Sequence, residues 1–214
     1  MNNTKKTFSL LMLFFACFSA QASNLECSPL AKQLNEQTFE GPMYCSNRLA
    51  TDAGFDFVSI DSVPVGFGKY IIKFWNLSKS NTTPIFSSAE FRIPFKDCCQ
   101  SVIKKNSVYV TGDSSDSTSV LDETYQIKLY DGIFKIIGYK GCEKNFKNIK
   151  NDNFPKNETC ADINLITGNF KKTEKKMNKI IKPTQGKVIV EPYRLDKPDF
   201  LDKPQTLGSD IIQQ

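Results

Sequence analysis

The side chains in this chain that could do chemistry are cysteines and carboxylates. Its 214 residues include seven cysteines, 23 acids and no histidine. Histidine is the usual general base near neutral pH and the commonest metal ligand. Ser-His-Asp, Cys-His and histidine–zinc chemistry are therefore excluded within the chain.

Cys17 lies in an apolar leader. The other six cysteines are Cys27, Cys45, Cys98, Cys99, Cys142 and Cys160. No C-x-x-C spacing of the zinc-binding kind occurs among them. An even number behind an export signal predicts disulfides. Cys142 and Cys160 flank a polar stretch, and a bridge between them would close a loop, worth about 3 kcal/mol in the chain-entropy model. Cys27 and Cys45 bracket a short helical stretch in a similar way. That leaves the adjacent pair Cys98-Cys99, either as a redox couple or with one member bonded to Cys27 or Cys45.

The acids carry weaker signals. Asp52, Asp56 and Asp61 sit where a calcium loop would place oxygens, but two or three carboxylates make a poor site. The alternative is a polar turn entering a strand. Gly112 to Ser119 (GDSSDSTS) is rich in oxygen ligands and also reads as a long hairpin loop. Carboxylate-only glycan hydrolysis needs two acids set across a cleft, and no spacing marks such a pair. Neither G-x-S-x-G nor a supported S-x-x-K occurs. No catalytic residue, metal site or cofactor is assigned, and the chain is not expected to be an enzyme.

Charge is unevenly placed. Residues 140–182 carry 11 lysines against five acids, whereas residues 23–139 carry 11 basic and 13 acidic groups. The densest run holds Lys171, Lys172, Lys175, Lys176 and Lys179, the residues expected to meet a partner. Export, and the lack of an aromatic-interleaved basic platform, argue against nucleic acid. An acidic protein or the anionic envelope remains, beside the plainer reading of a solvated face.

The elements that must position these residues follow from hydrophobic patterning. Residues 1–22 read as a secretory signal: Lys5 and Lys6, an apolar run from Phe8 to Phe18, then Ala20-Gln21-Ala22. The run is shorter than the ~20 residues of a membrane span. Cys17 offers a lipid-attachment alternative, but Phe14 fits such a site poorly, so cleavage near Ser23 and a periplasmic location are expected. No later segment reads as a transmembrane helix.

Ser28-Pro29 predicts the start of a short N-terminal helix, with Leu30 and Leu34 on one face. Beyond residue 55 the pattern becomes strand-like. The clearest cue is Asp131-Gly132 between two alternating runs, 124–130 and 133–139, which predicts a tight hairpin. Tyr125, Ile127 and Leu129 share one face; Gln126, Lys128 and Tyr130 share the other. Residues 102–110 predict a second hairpin, and Thr167-Gly168 joins two further runs. Without helical crossovers, the expected fold is mainly β: an antiparallel meander or sandwich-like sheet, disulfide-braced. It forms a single domain over 23–192. Residues 193–214, polar and with Asp-Lys-Pro twice, read as a flexible tail.

Two stretches carry a family likeness. Asp52 to Ile60 resembles a degenerate FG-GAP-like loop and strand, through Asp56, Phe57, Val58 and Ile60. Asp162 to Gly168, following the Tyr-rich hairpin, is similar to the closing N-x-L-T-G hairpin of small exported proteins of Gram-negative bacteria. The likeness covers roughly residues 52–172, and the displaced Asp-Gly pair departs from the calcium-loop pattern. Some proteins of that build act as immunity partners of antibacterial toxins. The resemblance implies a non-catalytic periplasmic binding protein, an immunity protein or inhibitor with a protein partner. The alternatives are a carboxylate-dependent envelope glycan hydrolase and a structural envelope component.

Overall fold

The structure, a computed structural model, describes residues 43–47, 54–63, 69–79, 82–92, 97–104, 106–115, 118–146, 155–176, 179–181, 183–198 and 200–213. The signal segment, Cys17, Cys27, the Ser28 helix and Asp52 lie outside the described residues, as do the side chains of Cys45, Cys98 and Cys99.

The chain is mainly β, in two antiparallel sheets. The smaller contains β1 (Met43–Asn47), β2 (Phe57–Ser62), β3 (Lys69–Trp75), β4 (Phe86–Ser87) and β5 (Phe91–Arg92), in the order β1-β2-β3-β4 with β5 also on β3. The larger has nine strands among the described residues. Its meander runs through β6 (Asp97–Lys104), β7 (Ser107–Ser115), β8 (Ser119–Tyr130), β9 (Ile133–Asn145), β10 (Asn157–Asn164) and β11 (Asn169–Lys176). β12 (Lys179–Ile180) and β13 (Thr184–Lys187) share the far edge of β11, and β14 (Tyr193–Arg194) adds to β9. A helix, α1 (Asp202–Gln213), ends the chain.

Local chemistry sets the turns. Asp131 and Gly132 both take positive φ, 52° and 73°. A type I′ turn demands this, and its twist matches the strands it joins. Gly168, at φ 73°, closes the turn between β10 and β11. Asn164 Oδ1 accepts the N–H groups of Ile166 and Thr167 at 2.9 and 3.0 Å in the same turn.

Both sheets feed one core. Phe134 of β9 stacks on Phe74 of β3 at 4.0 Å, with Phe86 at 4.9 Å and Phe55 at 5.8 Å. Aromatic pairs of this kind stabilise by about 0.5–1.5 kcal/mol beyond the area they bury. Ile60, Ile72, Ile127, Ile136 and Ile163 are buried around this cluster. On the smaller sheet, the buried Trp75 indole donates to Ser59 Oγ at 3.0 Å.

The described residues of 193–214 pack on the body, where a flexible tail was expected. Leu195 is fully buried, donates its N–H to Phe134 O at 3.0 Å and accepts from Ala89 N at 2.7 Å. One residue thus ties the larger sheet to the β4–β5 side of the smaller. Phe200 meets Phe91 at 5.2 Å. In α1, Pro204, Gly208 and Ile211 are buried. Their i, i+4, i+7 spacing lays one face of the helix on the body. Pro204 falls in the first turn, where its missing N–H costs nothing.

Other expectations shift in extent. The oxygen-rich stretch from Gly112 is mostly ladder: β7 runs to Ser115, and Gly112 to Ser115 pair with Glu123 to Val120. The expected loop over 143–159 is narrowed at both ends, because β9 reaches Asn145 and β10 begins at Asn157.

Candidate functional site

The predicted disulfide between Cys142 and Cys160 is formed. The two residues are register partners on β9 and β10, with Cα atoms 4.0 Å apart. Glu158 lies within 4.8 Å of both sulfurs. Bonded sulfurs offer no thiolate to a metal, so this trio braces the sheet rather than forming a metal centre. Cys45 stands in β1 opposite Ser59. Cys98 pairs with Gly112, and Cys99 falls at the register shift that follows, a β-bulge in β6.

Asp56 and Asp61 are both engaged within the fold. Asp56 accepts the N–H groups of Leu77 at 2.8 Å and Ser78 at 2.9 Å, and the Ser78 hydroxyl as well. It caps the 3-10 turn Leu77–Lys79. Asp61 pairs instead with Lys73 at 2.6 Å.

The basic run forms the edge of the large sheet. Lys171, Lys172, Lys175 and Lys176 lie in β11, and Lys179 in β12. The pleat divides them. Lys175 bridges to Glu158 at 3.1 Å, and Lys172 to Glu174 at 2.9 Å. Lys171, Lys176 and Lys179 form no ion pair among the described residues. Ile180 and Ile181, exposed, follow Lys179, and Ile189, 107% accessible, stands beyond Lys187 at the other end of the edge.

Sheet edges are templates for pairing. The β6 edge of the large sheet lies beside β1. The β4–β5 side of the small sheet is met by Leu195. No described strand pairs with the outer side of β12 or β13.

The open face of the large sheet carries a feature that sequence spacing did not reveal. Ala161 and Ile163 turn into the core, which puts Asp162 and Asn164 on the opposite face. Two adjoining cavities share these two residues. One, about 290 Å³, is also lined by Tyr109, Thr124, Gln126, Gly138 and Lys140; the other, about 710 Å³, by Asn169, Lys171, Gln185 and Lys187. The registers explain the assembly. Tyr109, Gln126, Gly138 and Asn164 form one row across four strands, and Thr124, Lys140, Asp162, Lys171 and Gln185 form the next. Gly138 leaves a gap in the first row, which the side chains on either side turn into a notch. These two cavities hold one carboxylate, Asp162, so the paired acids of a carboxylate-dependent hydrolase do not meet there.

A second polar cluster is buried. Glu123 is 1% exposed on the core face of β8. Its Oε1 accepts from the Tyr139 hydroxyl at 2.5 Å and its Oε2 from Gln205 Nε2 of α1 at 3.2 Å. Burial raises the carboxyl above its ordinary value, against the lowering effect of its phenol hydrogen bonds. Burial, reinforced by the charge of Glu123, holds both Tyr139 and Tyr125 protonated. Gly141 and Gly208 cradle the Tyr139 ring; a methyl group on either would overlap it. Glu123, Tyr125 and Tyr139 are buried, and the half-buried Gln205 lets this cluster fasten α1. Its signal lay in the sequence, since Glu123 shares the parity of Tyr125 and Ile127.

Among the described residues, no helix is long and apolar enough to cross a membrane. No family model matches the chain, and no curated protein or solved structure is similar to it.

Proposed function

We propose that this is an exported, non-catalytic binding protein that neutralises a secreted toxin or hydrolase, acting in the periplasm as an immunity protein or inhibitor. The observation that carries the reading is the β12–β13 edge. It joins exposed isoleucines, suited to anchor a partner, to Lys176, Lys179 and Lys187, which have no ion-pair partner among the described residues. Edge lysines keep copies of the same chain apart and speed encounter with an acidic surface. The cross-strand disulfide and the doubly bonded Leu195 give that edge a stiff support. The FG-GAP-like stretch and the export signal support the same reading.

The test is survival. Cells are challenged with the product of the neighbouring gene, directed to the periplasm, with and without this protein. Protection by the wild type, lost in a folded Ile189→Asp/Lys179→Glu variant, is expected. Equal survival of cells lacking the protein would overturn the reading.

A further inference from the structure

We propose that the groove on the open face of the nine-stranded sheet binds an N-acetylated, carboxylate-bearing glycan of the peptidoglycan type. This goes beyond the protein-partner reading and, Lys187 apart, stands on different residues.

The first argument is charge. Two lysines of this face are neutralised within the sheet: Lys144 by Asp122, and Lys175 by Glu158. In the groove, Lys140, Lys171 and Lys187 face one carboxylate, Asp162, and none of the four forms an ion pair among the described residues. Two positive charges are left over for a ligand that brings its own carboxylates.

The second argument is the notch over Gly138. Gln126 donates Nε2 to Ser107 Oγ at 3.1 Å, which fixes its amide. Its Oε1 then lies beside Gly138, where an added Cβ would stand 3.0 Å away. Across the notch, Asn164 commits Oδ1 to the turn N–H groups of Ile166 and Thr167. Its Nδ2 donor has no partner among the described residues. The notch thus presents a fixed acceptor on one side and an uncommitted donor on the other. An acetamido group offers the complementary N–H and C=O. Asp162 adds an acceptor for hydroxyls, and Tyr109 an aromatic wall.

The third argument is direction. The rows cross the strands, spanning about 24 Å from β7 to β13 at ~4.8 Å per strand. The backbone beneath is already paired, so an extended peptide would find no free ladder there. A polyhydroxyl chain recognised by side chains alone fits such a surface.

The test is calorimetric titration of the purified protein with a soluble disaccharide–tetrapeptide released from peptidoglycan by a muramidase. Saturable binding is expected. Asp162→Asn and Lys171→Gln, both at exposed positions, should each weaken it about tenfold, the loss of one charge-assisted hydrogen bond. Gly138→Ala, which fills the notch, should weaken it similarly with an unchanged circular dichroism spectrum. A neutral N-acetylhexosamine oligomer should bind at least tenfold less tightly. The proposal is overturned by an absence of binding at millimolar concentration, by titrations indifferent to all three substitutions, or by equal binding of a sugar-free peptide with the same carboxylates. Preferential binding of a phosphate-rich lipopolysaccharide core would overturn it as well.

Discussion

Glu123 shows how a single buried group ties stability to pH. Its carboxyl is raised by burial, so the folded state holds the proton more tightly than the unfolded chain. The stability this contributes is fully present below the unfolded carboxyl value and is lost as pH rises through the folded one. Glu123→Gln keeps the shape of the cluster and cannot ionise. Wild type and variant should therefore melt alike in acid, and wild type should fall below the variant as pH rises towards neutrality. Melting curves of the two proteins across pH 4 to 8 check this. A constant gap across the range would show that Glu123 does not titrate in the fold.

Gly208 acts at the same scale through space rather than charge. In a helix interior, alanine is favoured over glycine by about 1 kcal/mol. Here the methyl would enter the Tyr139 ring, and overpacking costs about 1–3 kcal/mol. The overlap falls on a ring held by Gly141 and Glu123, so the clash should win. We expect Gly208→Ala to destabilise the protein, by up to about 2 kcal/mol. Urea unfolding measures it, and a gain in stability would mean that α1 does not seat on Tyr139.

At the scale of elements, the strands were legible wherever local chemistry and periodicity agreed. Asp131-Gly132 announced the β8–β9 hairpin, and both residues adopt the left-handed conformation the turn requires. The C-terminal segment misled because two Asp-Lys-Pro repeats look like breakers. The second opens a helix, since proline is tolerated in the first turn. The apolar positions Leu207, Ile211 and Ile212 gave the helical spacing; what hid it was the polar average around them. The stretch from Gly112 misled for the opposite reason. Its hydroxyls and acids suit a loop, yet the β7–β8 ladder carries most of them to its end.

The groove was illegible in principle. Its residues come from six strands and meet only through register, which spacing along the chain does not encode.

The disulfide belongs to the element scale too. Cys142–Cys160 pins β9 to β10 across 18 residues of sequence. Cys142→Ala/Cys160→Ala should cost about 3 kcal/mol, read as a lower denaturation midpoint with the β-sheet spectrum retained. Stability unchanged by the double substitution would mean that the ladder holds the loop neck unaided.

For the whole molecule, the proposed function rests on the β12–β13 edge, whose outer side no described strand pairs with. β1 lies beside β6, and Leu195 meets the β4–β5 side, leaving the lysine- and isoleucine-bearing β12–β13 edge open among the described strands. Under the proposed function, that edge is where the partner docks. The most direct measurement is light scattering of the purified protein mixed with the purified product of the neighbouring gene, with that product's activity assayed in the same sample. The account predicts a stoichiometric complex in which the product's activity is lost and both chains keep their mass, with no complex for folded Ile189→Asp/Lys179→Glu. Separate species with full activity, or cleavage of envelope polymer by the protein alone, would contradict it.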